Sequence, residues 1–348
     1  MKYSVIIPVF NRPDEVEELL ESLSAQDFNG DFEVVVVEDG SSVPCKDVVS
    51  RYFDRLDVKY FVKRNSGPGP SRNYGVEHAE GEYVIILDSD CVLPSGYLSA
   101  VDESLERIPC DAFGGPDCAH ESFTPIQKAI SYSMTSFFTT GGIRGGKRKM
   151  DKFYPRSFNM GVKKTVYEKL GGFSKMRFGE DIDFSIRIFK GGYSCRLIPD
   201  AWVWHKRRTD LDKFFKQVFN SGIARINLHK RHPGSMKLVH LLPMLFTVGV
   251  VGLVLVAMVL RFVATGGVPF GHTVIEWWLV MLLPILLYCL MIFVDSSVKN
   301  KSMVIGFLSV EAAFVQLFGY GFGFIKAWWE RCVLNHAEFA AYEKNFYD

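Results

Sequence analysis

The sequence contains no Cys-x-x-Cys pair, and its 7 cysteines among 348 residues are odd in number and irregular in spacing. That pattern argues against a disulfide framework and against a zinc cluster, and fits reduced thiols in a cytosol-facing domain. Net charge is also scarce. The 40 Lys and Arg set against 39 Asp and Glu leave +1, so a generic polyanion binder is disfavoured and no nucleic-acid partner is expected. The opening residues MKYSVIIPVFNR lack the long apolar core of a signal peptide, because Pro8 and Asn11 interrupt the run. The N-terminal half is therefore expected to stay on the side of the membrane where it is made. Internal repeats and low-complexity tracts are missing as well.

Apolar residues, by contrast, are plentiful. They make up 48% of the chain, and the mean hydropathy is +0.09. Part of the chain is expected to sit in lipid. The runs Leu238–Leu260 and Trp277–Val294 carry no charge, while Met303–Ile325 is interrupted by Glu311 and Gln316. A spanning helix needs about 20 apolar residues, which predicts two to three transmembrane helices over 238–325. Buried core helices are the alternative. The segment 206–237 mixes Lys and Arg with Phe214, Phe215 and Phe219, and reads as amphipathic helix on a bilayer surface in contact with membrane lipids. Its charge places that end in the cytoplasm. Three spans leave the amphipathic tail 326–348 outside, against the pull of Lys326 and Arg331. A third run that dips in and returns removes this conflict.

Residues 1–205 read as one α/β domain. Ser4–Val9, Phe32–Val37, Lys59–Val62 and Tyr83–Leu87 are strand candidates, and Asp14–Gln26 and Ser71–His78 have helical character, with Ser71 as the N-cap. Strands alternating with helices imply a mostly parallel sheet, whose ligands bind beyond the carboxyl ends of the strands.

Several polar clusters fall at those ends. Asp88-Ser89-Asp90 follows YVIIL. In extended chain, residues two apart point the same way, so both carboxylates face the open end and suit Mg²⁺ or Mn²⁺. An ordinary polar turn is the alternative. Glu38-Asp39-Gly40-Ser41 follows FEVVVV, where a carboxylate can accept from a base or ribose. Gly67-Pro68-Gly69-Pro70-Ser71-Arg72 offers helix-start N–H groups and a cation to a phosphate, or is a rigid linker. Glu180, Asp181 and Asp183 occupy one helical first turn, as dipole and capping residues or with one acting as general base. His205 can ligate a divalent metal or simply pack.

Taken in order, SVIIPVFNR, VVVVEDGS, GPGPSRNYG, YVIILDSD, NMGVKKTVYEKLGGF and GEDIDF resemble glycosyltransferase family 2, of the GT-A (Rossmann-like) fold, over about the first 205 residues. Glu38 stands where the first acid of a more usual Asp-Asp-Gly-Ser sits. The resemblance implies an inverting transferase using a nucleotide-diphosphate sugar and a lipid-linked or saccharide acceptor. It implies that Pro8, Val9, Asn11 and Glu15 line the nucleotide pocket and that Asp39 reads the base. It further implies that Arg72 lies near the diphosphate, and that Asp88 and Ser89 contact the donor. Asp90, with Asp88 and a late His205, would hold the metal. Asp181 would be the base, with Glu180 beside it, and Asn159, Met160 and Gly161 would lie on the acceptor side. A processive polysaccharide synthase, a polyprenyl-phosphate sugar transferase and a non-catalytic membrane scaffold are the competing readings.

Overall fold

The computed structural model describes residues 1–118, 123–141, 153–265 and 273–338, with the side chains of 264–265 and 273–278 excepted. The end of the predicted tail, 339–348, lies outside the described residues. In chain order the elements are β1 (Tyr3–Val9), α1 (Pro13–Ser24), β2 (Phe32–Asp39), α2 (Lys46–Ser50), β3 (Asp57–Lys63), α3 (Pro68–Glu77), β4 (Tyr83–Leu87), β5 (Cys91–Val92), α4 (Tyr97–Arg107), β6 (Ala112–Gly114) and β7 (Asp117–Cys118). Then follow α5 (Pro125–Thr135), α6 (Phe137–Thr140), β8 (Asn159–Lys163), α7 (Lys164–Lys169), α8 (Glu180–Lys190), β9 (Cys195–Leu197) and β10 (Val203–His205). The last are α9 (Leu211–Arg231), α10 (Leu242–Thr265), α11 (Thr273–Asn300) and α12 (Met303–Trp328).

The main sheet has the order β3-β2-β1-β4-β8-β6-β9. The strands β3, β2, β1 and β4 are parallel, as expected, while β8 runs antiparallel to both β4 and β6. Nearly all-apolar strands form its centre because both faces are covered. Val5, Ile7, Val34, Val36, Ile85 and Leu87 pack in one core with residues of α1, α2 and α4. Ile6, Val35, Val37, Val84 and Ile86 alternate with them into a second core with residues of α3, α7 and α8. A small second sheet, β5-β10-β7, sets His205 opposite Cys91.

Two compact units divide the described chain: 1–118 with 153–206, and 123–141 with 207–338. The sequence reading kept 1–205 together. Residues 123–141 depart from it because α5 is amphipathic. Its Ala129, Ile130 and Met134 are buried with Phe214, Val218, Ile305 and Ala312. Tyr132 also donates its hydroxyl to Asp295 Oδ2 at 2.6 Å.

In the second unit, three helices are long and apolar enough to cross a membrane: Leu242–Val263, Leu279–Asn300 and Met303–Val333. The last contains α12, an unbroken helix; a run that dips in and returns would need a turn there. The predicted surface segment forms the 21-residue helix α9, which lies along α12. Its Gly222 sits against the Tyr320 carbonyl, and Gly323 of α12 sits against that of Phe219. A Cβ at either position would collide with backbone, so glycine sets how closely these helices approach.

Candidate active site

The ends of β1, β2, β4 and β10 and the starts of α3 and α8 carry the polar residues. β1 runs out at Val9 into a turn where Asn11 has φ 53°. Its amide donates to Ser41 Oγ at 2.7 Å, and its Oδ1 accepts from Val43 N at 2.9 Å. The next residue, Arg12, donates to Asp90 Oδ2 at 3.2 Å and pairs with Glu15 at 3.5 Å. Pro8 is half-buried, whereas the Val9 side chain is sealed in the core at 1% exposure. Only the Val9 backbone is left to line a pocket.

β4 ends at Leu87, and Asp88–Asp90 form a turn closed by Cys91 N donating to Asp88 O at 3.1 Å. The extended-chain argument for two parallel carboxylates therefore fails, and the two acids take different partners. Asp88 Oδ1 accepts from Arg72 Nη2 at 2.7 Å. Asp90 Oδ1 lies 3.2 Å from His205 Nε2. Ser89 is buried in the turn between them.

The expected phosphate cradle also takes another form. α3 begins at Pro68, so Ser71 is inside its first turn and Gly67, at φ 94°, is the cap. Prolines at 68 and 70 supply no N–H. The amides of Ser66 and Gly67 are already given to Asp39, at 2.9 and 2.8 Å. Asp39 accepts from Lys63 Nζ as well, at 2.7 Å. It organises the loop ahead of α3 rather than standing open to a base. Glu38 is closed by Ser41 Oγ, by Cys45 N at 2.8 Å and by the Tyr60 hydroxyl at 3.0 Å.

Arg72 is 3% exposed. Its Nη2 holds Asp88, and its Nη1 donates to Glu180 Oε1 at 3.0 Å. Both ends of the guanidinium are thus taken by carboxylates. Arg72 ties the end of β4 to the start of α8 and positions these acids, in place of the diphosphate contact that the resemblance implied.

α8 opens with Glu180 and Asp181 after Gly179, whose φ of 83° suits glycine. Asp181 Oδ2 accepts from Arg156 Nε at 2.6 Å, and its Oδ1 accepts from Ile182 N at 2.8 Å. Burial pushes this carboxyl up, but Arg156 and the amide outweigh it and hold Asp181 below the ordinary carboxylate range. Glu180 goes the other way: burial first, then the neighbouring Asp181 charge, push it up to about 7 against the pull of Arg72. Adjacent acids with opposite shifts are an arrangement suited to proton transfer.

Three acids named from the sequence, Asp88, Asp90 and Asp181, are thus joined through Arg72, Glu180 and the turn after β4. Asp39 reaches this group only by holding Gly67 at the start of α3. The acceptor-side residues do not join it. Asn159 is fully buried, accepting from the Tyr97 hydroxyl at 2.6 Å and donating to Ala201 O at 2.8 Å. Met160 is core, and Gly161 lies against the Phe113 ring. They are the first three residues of β8, between β4 and β6, so sheet pairing accounts for them. Sequence reasoning missed Arg156 and Phe158, just before β8, and gave no role to Arg12.

The ligating atoms of Asp90, Cys91 and His205 lie within 4.8 Å of one another. Cys91 is held protonated by burial, and its Sγ–H donates to Phe158 O at 3.4 Å, which leaves a carboxylate and an imidazole. The His205 ring stacks on Phe158 at 4.8 Å between centroids, fixing its orientation. One hard oxygen and one nitrogen fit Mn²⁺ or Mg²⁺, with remaining positions for substrate oxygens.

Residues 4–171 match the model of the family described as Glycosyl transferase family 2. A poly(ribitol-phosphate) beta-N-acetylglucosaminyltransferase of Staphylococcus aureus is 45% identical over 93 residues, covering 26% of this chain and 16% of that protein. A GalNAc(5)-diNAcBac-PP-undecaprenol beta-1,3-glucosyltransferase of Campylobacter jejuni is 37% identical over 133 residues, covering 37% of this chain and 42% of that one. The chain spans less than half the length of either curated relative. A mannosyltransferase from Pyrobaculum calidifontis, solved in complex with GDP-Man and Mn2+, superposes with a TM-score of 0.62 at 17% identity, over 95% of this chain and 88% of that one. The two share a fold.

Proposed function

Because residues 4–171 belong to glycosyl transferase family 2, we propose that the chain is an inverting glycosyltransferase. It moves a sugar from a nucleotide-diphosphate sugar to a hydroxyl of a lipid-linked or polysaccharide-precursor acceptor. The observation that carries this reading is the linked set Asp90–His205 and Asp88–Arg72–Glu180–Asp181, assembled where the carboxyl end of β4 meets the start of α8. Asp181, kept ionised, takes the proton of the acceptor hydroxyl. The oxygen forms a bond to the anomeric carbon, and the bond from that carbon to the diphosphate breaks, its electron pair leaving with the nucleoside diphosphate. Asp90 and His205 would hold a divalent ion, which when bound would supply charge neutralisation for the departing diphosphate. Arg72 keeps Asp88 and Glu180 in place.

The acceptor class is supported by the Campylobacter relative, whose name specifies a diphosphate-linked polyprenol. The three apolar helices are read as spans of the inner membrane. A catalytic domain at its cytoplasmic face is supported by the cations Lys213, Lys216, Lys230 and Arg231 of α9, just ahead of them, through the positive-inside tendency.

Release of nucleoside diphosphate from a panel of sugar nucleotides, with membranes and lipid extract present, tests the reading. Asp181→Asn is expected to lower transfer by about 10²–10⁴-fold while donor still binds. Near-normal turnover in that variant removes Asp181 from the base role, and no release with any donor removes the transferase reading.

A further inference from the structure

The candidate base is not open. Arg156, from the chain just before β8, donates its Nε–H to Asp181 Oδ2 at 2.6 Å, with its side chain 37% exposed. An arginine carries five N–H donors in a planar fork. Here a single one is used: among the described residues, Nη1 and Nη2 of Arg156 make no hydrogen bond. The other arginines of the site are committed. Arg72 has a carboxylate on each end, and Arg12 lies on Asp90 and Glu15. The half-exposed fork beside the base is therefore a cation in place with donors to give.

The same contact hinders the base. A carboxylate clamped by a guanidinium takes up a proton reluctantly, because the pair must part for the proton to be bound. Something that competes for Arg156 frees Asp181. Phosphate is the group best matched to a planar fork, through two parallel charge-assisted bonds. A neutral hydroxyl compound does not compete.

We propose that Arg156 recognises a phosphate group carried by the acceptor, and that it leaves Asp181 for that phosphate as the acceptor enters. This rests on the reading of Asp181 as the base of sugar transfer, and names the feature of the acceptor that the site selects. Arg156 is then a specificity-determining residue: an acceptor without phosphate leaves the base clamped.

The test is a binding measurement that needs no turnover. The full chain in neutral detergent micelles, with EDTA present so that no metal holds the probe, is titrated with dodecyl phosphate and, as the uncharged control, dodecanol. Dodecyl phosphate is expected to bind more tightly than the alcohol. Arg156→Ala weakens its binding by about ten-fold, the worth of a charge-assisted bond, and Arg156→Lys, which keeps the charge without the fork, falls between. Asp181→Asn releases Arg156 and tightens binding several-fold. In the double variant Arg156→Ala/Asp181→Asn that gain disappears. Equal binding of phosphate and alcohol overturns the proposal. So does an Asp181→Asn gain that persists without Arg156, since that is only removal of a nearby negative charge. Failure of Asp181 as the base is seen separately, as Asp181→Asn turning over normally, and failure of the transferase reading as no nucleoside diphosphate released from any donor.

Discussion

Two glutamates lie buried at opposite ends of one sheet, and their carboxyls are shifted in opposite directions. Glu33, at the amino end of β2, is fully buried. It accepts from Ser4 Oγ and Glu80 N, both at 2.5 Å, and pairs with Lys59 Nζ at 2.7 Å. Burial pushes its carboxyl up, but these partners prevail and hold it below its ordinary value. Glu180, near the carboxyl end of β4, has Arg72 on one oxygen and the Asp181 charge beside it, and is pushed up to about 7. The first is a closed staple between β1, β2, β3 and the turn before β4. The second belongs to a group in which charge is left incompletely matched. Groups whose protonation is finely balanced are the ones that chemistry can use.

The contrast can be broken most directly at Glu33. Glu33→Ala leaves Lys59 and two donors facing a gap. It is expected to cost about 1–3 kcal/mol of stability, the range for leaving buried donors without an acceptor, since Lys59 keeps Glu80, while the transfer rate per folded molecule is unchanged. Denaturant unfolding alongside a rate corrected for folded fraction reads both; a rate loss beyond the folded fraction would make the amino end part of the catalytic apparatus. His205→Ala tests the other end. Transfer is expected to fall about 100-fold, as when one stabilising contact to the developing charge is lost. Mn²⁺ affinity by calorimetry should fall with it and the unfolding midpoint hold. Full activity of the unsubstituted chain in EDTA would take the metal out of the mechanism.

The smallest effect is in pH dependence. A carboxyl raised in the folded state binds its proton more tightly there, so its stabilisation is full below pH 4.5 and lost as pH rises toward about 7. A lowered carboxyl such as Glu33 contributes above pH 4.5 and loses that contribution as pH falls. Glu180→Gln should therefore flatten the decline in thermal stability between pH 5 and 7 and leave the acid limb, to which Glu33 contributes, in place. An unchanged slope over that window would mean that Glu180 titrates near its ordinary value.

Legibility in the sequence followed the range of the interaction. The strand Tyr83–Leu87 and the apolar faces of α1 were visible because burial on a sheet or helix face repeats at a fixed local period. The roles of Asp88 and Asp90 were less so. Their parity argument assumed extended chain, and the strand stops one residue too early. Asn159, Met160 and Gly161 carry the apolar and small character of a central strand, which a motif match cannot tell apart from a binding segment. Arg156 gave no local signal, because its partner Asp181 is 25 residues away.

Period, strand ends and the order of acidic clusters were enough to bring out an α/β domain with its chemistry at the carboxyl ends of the strands, followed by long apolar helices. Those features rest on burial and backbone hydrogen bonding between near neighbours, which composition records. Which carboxylate meets which cation, that Arg72 joins Asp88 to Glu180, that Arg156 clamps Asp181, and that residues 123–141 pack among the apolar helices were settled by packing. Each of these depends on side chains distant in sequence competing for the same few ångströms, and the outcome is fixed only when the layers close.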